Sequence, residues 1–154
     1  MTLVTRLTEL GITLPAPATP RGLYTPAVRS GNLIYVSGQL PTVEGNLLHT
    51  GKLGGEVTVE QGQACARQAA LNALAIANAE LGSLDAVARV VKMTVFVASA
   101  AGFYEQPLVA NGASQLLIDL FGDRGRHARV AVGAASLPIN APVEVELTLE
   151  IATA

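Results

Sequence analysis

The sequence predicts a single α+β domain in which a mixed sheet carries two main helices on one face. Residues 143–151 alternate strictly between apolar and polar side chains, as a strand with one buried face does. Residues 58–81 open with a capping-box pattern, Thr58 and Gln61, and continue as an alanine-rich helix. Residues 102–121 form a second helical pattern. Because two helices cover only one face of such a sheet, the opposite face must meet water or another subunit.

The remaining elements follow from periodicity and from turn residues. Gly31 and Asn32 indicate a turn between two strands, Gly82 and Gly122 are expected to end the two main helices, and Pro107 is tolerated in the first turn of the second. A proline-rich, extended stretch is expected at 14–26. In chain order the prediction is a short helix at 3–10, strands at 27–29 and 33–37, a helix at 58–81, a strand at 89–98, a helix at 102–121, and strands at 128–133 and 143–151.

The composition is unusually apolar for a small soluble monomer. Half of the 154 residues are hydrophobic, only 14% are charged, and the mean hydropathy is +0.41. No stretch offers the roughly 18 to 20 uninterrupted apolar residues of a spanning helix, and residues 1–14 do not read as a secretory signal. A cytoplasmic homo-oligomer is therefore expected, although the pattern does not fix the number of subunits.

Charge and cysteine content narrow the classes of function. A single cysteine, Cys65, suits a reducing compartment, and the two histidines are too far from it in sequence to suggest a metal site, so no metal or other cofactor is expected. A net charge of −2, a pI near 5.6 and an aromatic content of 4% count against nucleic-acid binding. The basic run at 124–129 suits one small anion instead.

Three stretches carry a family resemblance, in order and with helices between them. They are Gly-Asn-Leu-Ile-Tyr-Val-Ser-Gly-Gln-Leu-Pro at 31–41, Lys-Met-Thr-Val-Phe-Val at 92–97, and the run from Ala128-Arg129 through Leu137-Pro138 to 143–146. With these stretches the chain resembles the RidA/YjgF family, also called the L-PSP endoribonuclease family, over residues 24–151. The resemblance implies a chorismate-mutase-like fold and a homotrimer, with the sheets forming an inner barrel, the helices outside, and active clefts between subunits.

The resemblance also implies an activity, the hydrolysis of reactive enamines and imines to 2-keto acids and ammonia. It assigns Arg129 to a carboxylate-bearing small metabolite and Glu144 to positioning or activating water. The positions that it implies for substrate contact are Tyr24, Ser37, Gly38, Asn111, Arg129 and Ala131. Three features depart from the family pattern: Ala131 stands where the deaminase branch commonly has cysteine, the loop 122–127 differs in length and is more basic, and residues 1–20 form an N-terminal extension with a short helix.

The residues taken alone leave alternatives open. Arg129 lies in an otherwise apolar strand, where its charge must be paired; a bound carboxylate and an ion pair with Glu144 or Glu146 explain it equally well. Glu144 is either solvated or, inside a cleft, a proton-transfer group. His127 is read as a loop or interface residue. The residues and the resemblance together leave three functions open: an enamine/imine deaminase, a non-catalytic trimer that binds a keto acid, and an endoribonuclease.

Overall fold

A computed structural model describes residues 2–152 of the chain; Met1, Thr153 and Ala154 of the predicted domain, 1–154, lie outside the described residues. The strands are Ala27–Ser30 (β1), Leu33–Gln39 (β2), Thr42–Val43 (β3), Asn46–Leu47 (β4), Val87–Ala98 (β5), Ala128–Ala134 (β6) and Val143–Ile151 (β7). The α-helices are Leu3–Glu9 (α1), Val59–Leu81 (α2) and Gln106–Phe121 (α3). Short 3-10 turns lie at Leu84–Ala86, Gly122–Gly125 and Pro138–Asn140.

The main sheet has five strands in the order β1-β2-β7-β5-β6. All neighbours are antiparallel except β5 and β6, which are parallel and are connected through α3. The helices α2 and α3 pack on one face, α2 mainly against β7 and β2, and α3 against β5 and β6. The buried alternate residues of β7 on this face include Val145, Leu147 and Leu149. The predicted mixed α+β architecture with two main helices on one face is confirmed.

The helix α2 forms where its sequence predicts. The Thr58 hydroxyl accepts from the Gln61 amide, and the Gln61 side chain accepts from the Thr58 amide, which completes the capping box. Gly82 ends the helix in the left-handed conformation that glycine adopts readily. Small side chains along the buried face let α2 approach the sheet and α3 closely, because alanine adds little width to a helix.

The N-terminal helix α1 joins the helix layer. Leu3 and Leu7 are buried in the common core. The Leu3 amide donates to the Asp85 carboxylate at 2.7 Å, and Arg6 Nε donates to the Asp119 carbonyl of α3 at 2.8 Å. The first part of the extension is therefore anchored to the end of α3.

The predicted start of the second main helix is wrong. This helix begins at Gln106 rather than at residue 102, because Gly102 has a φ of 81° that a right-handed helix does not allow. A turn at Glu44 and Gly45 closes the short hairpin β3–β4. Glu44 and Gly45 both have positive φ, as tight hairpin turns require.

The sheet face opposite the helices carries exposed apolar side chains. Val28 is 56% exposed, Tyr35 47%, Val130 40% and Val132 38%. The strand register places these four residues on one face, because each is out of phase with the buried residues that meet the helices. Within residues 2–152, none of the helices combines the length and the apolar character needed to cross a membrane.

Gly112 of α3 provides a test of how closely the two main helices pack. A Cβ at this position would overlap the backbone of Gln63 in α2. Helix propensity alone would make Gly112→Ala stabilising by roughly 0.5–1 kcal/mol. We expect instead a loss of about 1–3 kcal/mol in the free energy of unfolding, measured by urea denaturation, because the helices must separate. Gly55→Ala is the control, since its nearest contact is an ordinary 3.4 Å; an equal loss there would contradict the explanation.

Candidate functional site

A β-bulge interrupts the pairing of β2 with β7. Val36 pairs with Leu147, but Gln39 pairs with Val145, so Ser37 and Gly38 occupy one extra position on β2. A bulge bends its strand and redirects the side chains around it. Ser37 and Gly38, two of the positions expected to contact substrate, thus form an irregularity inside a strand, at the point where β2 meets Glu144.

The Glu144 carboxylate lies directly over the Gly38 backbone. A Cβ at residue 38 would overlap Glu144 Oε1, so only glycine admits the carboxylate at this place. Glu144 is half-buried, and its burial is the main cause that raises the pKa of its carboxyl group; the negative charge of Glu146 raises it further. Gly38 and Glu144 are therefore brought together, and Glu144 holds a proton more readily than an exposed glutamate.

A cavity of about 970 Å³ opens beside Glu144. Tyr24, Gly38 and Glu144 line it, together with the hairpin β3–β4 and the extended residues 15–21. The second part of the N-terminal extension consequently forms a wall of the cavity and contributes the charged side chain of Arg21. The volume of the cavity lies in the range of small-molecule binding sites.

Asn72 of α2 holds the backbone of the segment that lines one side of the cavity. Its side chain is 5% exposed, and its Nδ2 donates to the carbonyl oxygens of Leu40 and Thr42 at 2.8 and 3.0 Å. Gln68 donates to the Asn72 Oδ1 at 2.9 Å and lines the cavity beside it. These bonds satisfy a buried amide and fix the segment that leads from β2 into the hairpin.

Ser37 binds the backbone of the segment that precedes β1. Its Oγ donates to the Thr25 carbonyl at 2.7 Å, and its amide donates to the Pro26 carbonyl at 2.9 Å. These two bonds tie down the chain next to Tyr24, whose ring is 53% exposed at the cavity. The Ser37 hydroxyl therefore acts on the backbone that carries Tyr24.

Arg129 lies in a different part of the structure. It projects from β6 toward α3, where its Nη1 donates to Asn111 Oδ1 at 2.8 Å and to Ser114 Oγ at 3.1 Å, and its Nη2 donates to the Pro107 carbonyl at 3.4 Å. Arg129 and Asn111, which the resemblance paired in one site, are thus in direct contact. All three acceptors are uncharged.

The guanidinium group of Arg129 keeps one edge for a ligand. It has five N–H donors, and the three hydrogen bonds leave Nε–H and one Nη2–H without an acceptor among residues 2–152. Neither salt bridge found within those residues involves Arg129, so its charge is not balanced by Glu144 or Glu146. The Nε–Nη2 edge has the spacing at which arginine binds a carboxylate through two parallel hydrogen bonds.

Arg129 and Glu144 point to opposite faces of the sheet. Arg129 pairs with Met93, which is fully buried against the helices, and Glu144 pairs with Phe96, which is out of phase with Met93 on β5. Side chains of a strand alternate between faces, so one copy of the chain does not bring the two groups together.

Ala131 lies two residues after Arg129 on the same face and packs, partly buried, against the core. It supplies a methyl group and no hydrogen-bonding or nucleophilic atom. Cys65 is fully buried in α2, and burial raises the pKa of its thiol to about 11. That thiol is held in its unreactive form. Within residues 2–152 no group of three or more His, Cys, Asp or Glu side chains is placed to hold a metal ion.

Several residues of this region were not selected from the sequence. Ser114 and His127 stand behind Arg129, and Asn72 and residues 15–21 shape the cavity. Ser114 follows Asn111 by three positions, a spacing that places both on one side of a helix and could have indicated it. A lone asparagine on the alanine-rich face of a helix was the corresponding signal for Asn72.

Comparison with known proteins agrees with the fold described above. Residues 4–151 match the profile of the family described as "YjgF/chorismate mutase-like, putative endoribonuclease". The chain belongs to the RidA/YjgF family. Its sequence is 51% identical over 146 residues to Protein TCP17 of Trypanosoma cruzi, covering 94% of this chain and 91% of that protein.

Two further proteins that are similar to this chain bear on its fold and chemistry. The crystal structure of Atu1372 from Agrobacterium tumefaciens, a protein of unknown function, superposes with a TM-score of 0.90 at 49% identity, covering 97% of this chain and 92% of that one. The 2-iminobutanoate/2-iminopropanoate deaminase of Dermatophagoides farinae is 32% identical over 136 residues, which are 88% of this chain and 91% of that protein.

Titration provides a test of the environment of Glu144. Burial is the larger cause of its raised pKa and Glu146 the smaller, so we expect Glu146→Gln to lower the pKa of Glu144 only part of the way toward its ordinary value. Carboxyl ¹³C NMR of the wild type and the variant measures this shift. A complete return to the ordinary value in Glu146→Gln would show that burial does not act on Glu144.

The raised pKa also fixes the sign of a stability effect. The folded state binds the Glu144 proton more tightly than the unfolded state, in which a glutamate has a pKa of about 4.3. The contribution of Glu144 to the free energy of unfolding is therefore present below that pH and is lost as the pH rises through the native pKa. Glu144→Gln should remove this decline, whereas the exposed Glu44→Gln should leave it unchanged.

Proposed function

We propose that this protein hydrolyses reactive 2-imino acids and their enamine tautomers to 2-keto acids and ammonia, in clefts formed between three copies of the chain. The substrate carboxylate binds the free edge of Arg129, and Glu144 manages the protons of the attacking water. Tyr24, Gly38 and Asn111 complete the cleft. The deaminase activity of the mite relative, with which 88% of this chain aligns, supports this choice of reaction.

One observation carries the proposal, namely that neutral groups alone hold Arg129. A half-buried guanidinium group loses part of its hydration, and that loss is normally compensated by an anion. Asn111, Ser114 and the Pro107 carbonyl orient the group but bring no negative charge. A small carboxylate supplies the missing charge and fits the unused Nε–Nη2 edge.

The reaction needs few groups. Water adds to the carbon of the C=N bond while Glu144 accepts a proton from the water and returns it to nitrogen. Glu144 then transfers the hydroxyl proton of the resulting carbinolamine to its nitrogen, and the C=O bond forms as the C–N bond breaks and ammonia leaves. The raised pKa of Glu144 suits this exchange, because a carboxyl group that titrates closer to neutral pH transfers protons in both directions.

The division of the site between two sheet faces supports an intersubunit cleft. Because Arg129 faces α3 and Glu144 faces away from it, a substrate that contacts both must lie between one copy and the next. The helix-free face has exposed apolar residues at both of its edges, on β1–β2 and on β6, and we take these residues as part of the interface, since exposed apolar surface commonly marks contact between subunits. A closed ring of copies repeats the same cleft at every interface.

A second candidate is a trimer that binds a 2-keto acid without turning over an imine. Ala131 favours it, because this position lacks any side chain that could contact the reacting atoms. The anchoring edge of Arg129 is the same in both functions. The endoribonuclease function is supported by the family description, and the acidic composition counts against it.

Arg129→Ala tests the carboxylate site that the deaminase and the binding trimer share. The free edge of Arg129 makes charge-assisted hydrogen bonds to the ligand, so we expect 2-ketobutyrate to bind roughly 10- to 100-fold more weakly to the variant, measured by calorimetry. Ammonia release from 2-aminoacrylate generated in situ should fall at least as much. Arg126→Ala is the matched control, because Arg126 is exposed and pairs only with Asp123 among the described residues.

Glu144→Gln distinguishes catalysis from binding alone. We expect this variant to release ammonia roughly 10²- to 10⁴-fold more slowly, because it loses the proton-transfer group, while keto acid binding is preserved. Wild-type protein that binds 2-ketobutyrate but does not accelerate ammonia release would reject the deaminase and retain the binding trimer. RNA cleavage that persists in Arg129→Ala after repeated purification would instead support a nuclease.

A further inference from the structure

A chain of hydrogen bonds runs behind Arg129 through two residues to which no role has been assigned. Ser114 Oγ lies 3.1 Å from Arg129 Nη1 and 3.0 Å from His127 Nε2. His127 Nδ1 lies 2.6 Å from the Gly125 carbonyl oxygen. This series of hydrogen bonds therefore runs from the Gly125 carbonyl group to the Arg129 guanidinium group.

The directions of these bonds are fixed by chemistry. A carbonyl oxygen only accepts, so His127 Nδ1 carries the hydrogen, and in the neutral ring Nε2 is then an acceptor. Ser114 must donate its hydroxyl hydrogen to His127, which leaves the lone pairs of Ser114 Oγ to accept from Arg129. Each group in this series of hydrogen bonds is thus assigned as a donor or an acceptor at each contact. The Ser114 hydroxyl group is held in one orientation by His127 and presents a fixed acceptor to Arg129.

The surroundings of His127 keep its ring neutral. Burial is the main cause that lowers the pKa of His127, and the positive charge of Arg129 lowers it further, while the Gly125 carbonyl opposes them. The other charged groups of the adjoining turn are engaged elsewhere: Arg126 pairs with Asp123, and Arg124 donates to the Val87 carbonyl. The hydrogen bond from Ser114 requires this neutral ring, because Nε2 must accept it.

We propose that Ser114 and His127 are positioning residues that lock the Arg129 guanidinium group so that its Nε–Nη2 edge points at the substrate carboxylate. This inference rests on the proposed carboxylate site. An arginine side chain has many rotamers, and holding it in the binding orientation before the ligand arrives removes an entropic cost from binding. Asn111 fixes one hydrogen of Nη1 and Ser114 fixes the other, so the plane of the fork is set by both.

The tautomer of His127 tests the chain without any ligand. Imidazole ¹⁵N NMR of the wild-type protein should show a neutral ring with its hydrogen on Nδ1, and Ser114→Ala should shift the Nε2 resonance because its donor is lost. A neutral ring with its hydrogen on Nε2 would overturn the proposal, since that nitrogen could not accept from Ser114.

Binding of 2-ketobutyrate tests the positioning role. We expect Ser114→Ala and His127→Phe to bind it roughly 5- to 20-fold more weakly at an unchanged thermal midpoint, because the arginine is present but no longer held. Ser114→Thr keeps the hydroxyl and His127→Gln keeps an acceptor, so both should restore most of the affinity. Gln115→Ala on the same helix is the matched control and should bind as the wild type does.

Kinetics separate positioning from folding. In a deaminase assay, Ser114→Ala should raise KM and leave kcat nearly unchanged, because Glu144 lies on the other sheet face. Wild-type affinity in both Ser114→Ala and His127→Phe would overturn the positioning role while the wild-type binding itself upholds the carboxylate site. Failure of the wild type to bind 2-ketobutyrate would instead overturn the proposed function, and this role with it.

Discussion

Strand alternation places the two charged groups of the candidate site on opposite faces of one sheet. Arg129 leaves β6 on the face that meets the helices, and Glu144 leaves β7 on the face that they do not cover. Neither group can change face without a shift in register that would expose the core residues of its strand. The proposed assembly, the proposed cleft and the use of a second copy all follow from this constraint.

Much of the fold was predictable because local patterns and tertiary packing agree. The alternation at 143–151 matches β7 residue for residue, and the capping box and Gly82 delimit α2 as expected. These features are encoded over a few neighbouring residues, where periodicity and backbone preference are informative.

Other features depend on contacts between distant residues and could not be found in this way. Gly102 lies in a plausible helical pattern, and only its left-handed backbone shows that α3 starts later. Periodicity alone left an ion pair with Glu144 possible for Arg129, whereas the three-dimensional register separates them. The bond from Ser114 to His127 joins residues 13 positions apart, and residues 15–21 of the extension line a cavity together with Glu144, which is distant in sequence.

The most direct test of a cleft shared between copies is activity after subunit exchange. Arg129→Ala and Glu144→Gln are prepared separately, mixed in equal amounts, dissociated in mild denaturant and reassembled, and ammonia release is then measured. If each cleft takes Arg129 from one copy and Glu144 from the next, random reassembly gives about a quarter of the clefts both native groups, and activity should return to about that fraction of the wild-type value. A mixture that stays as inactive as the separate variants, although sedimentation shows mixed assemblies, would contradict the shared cleft.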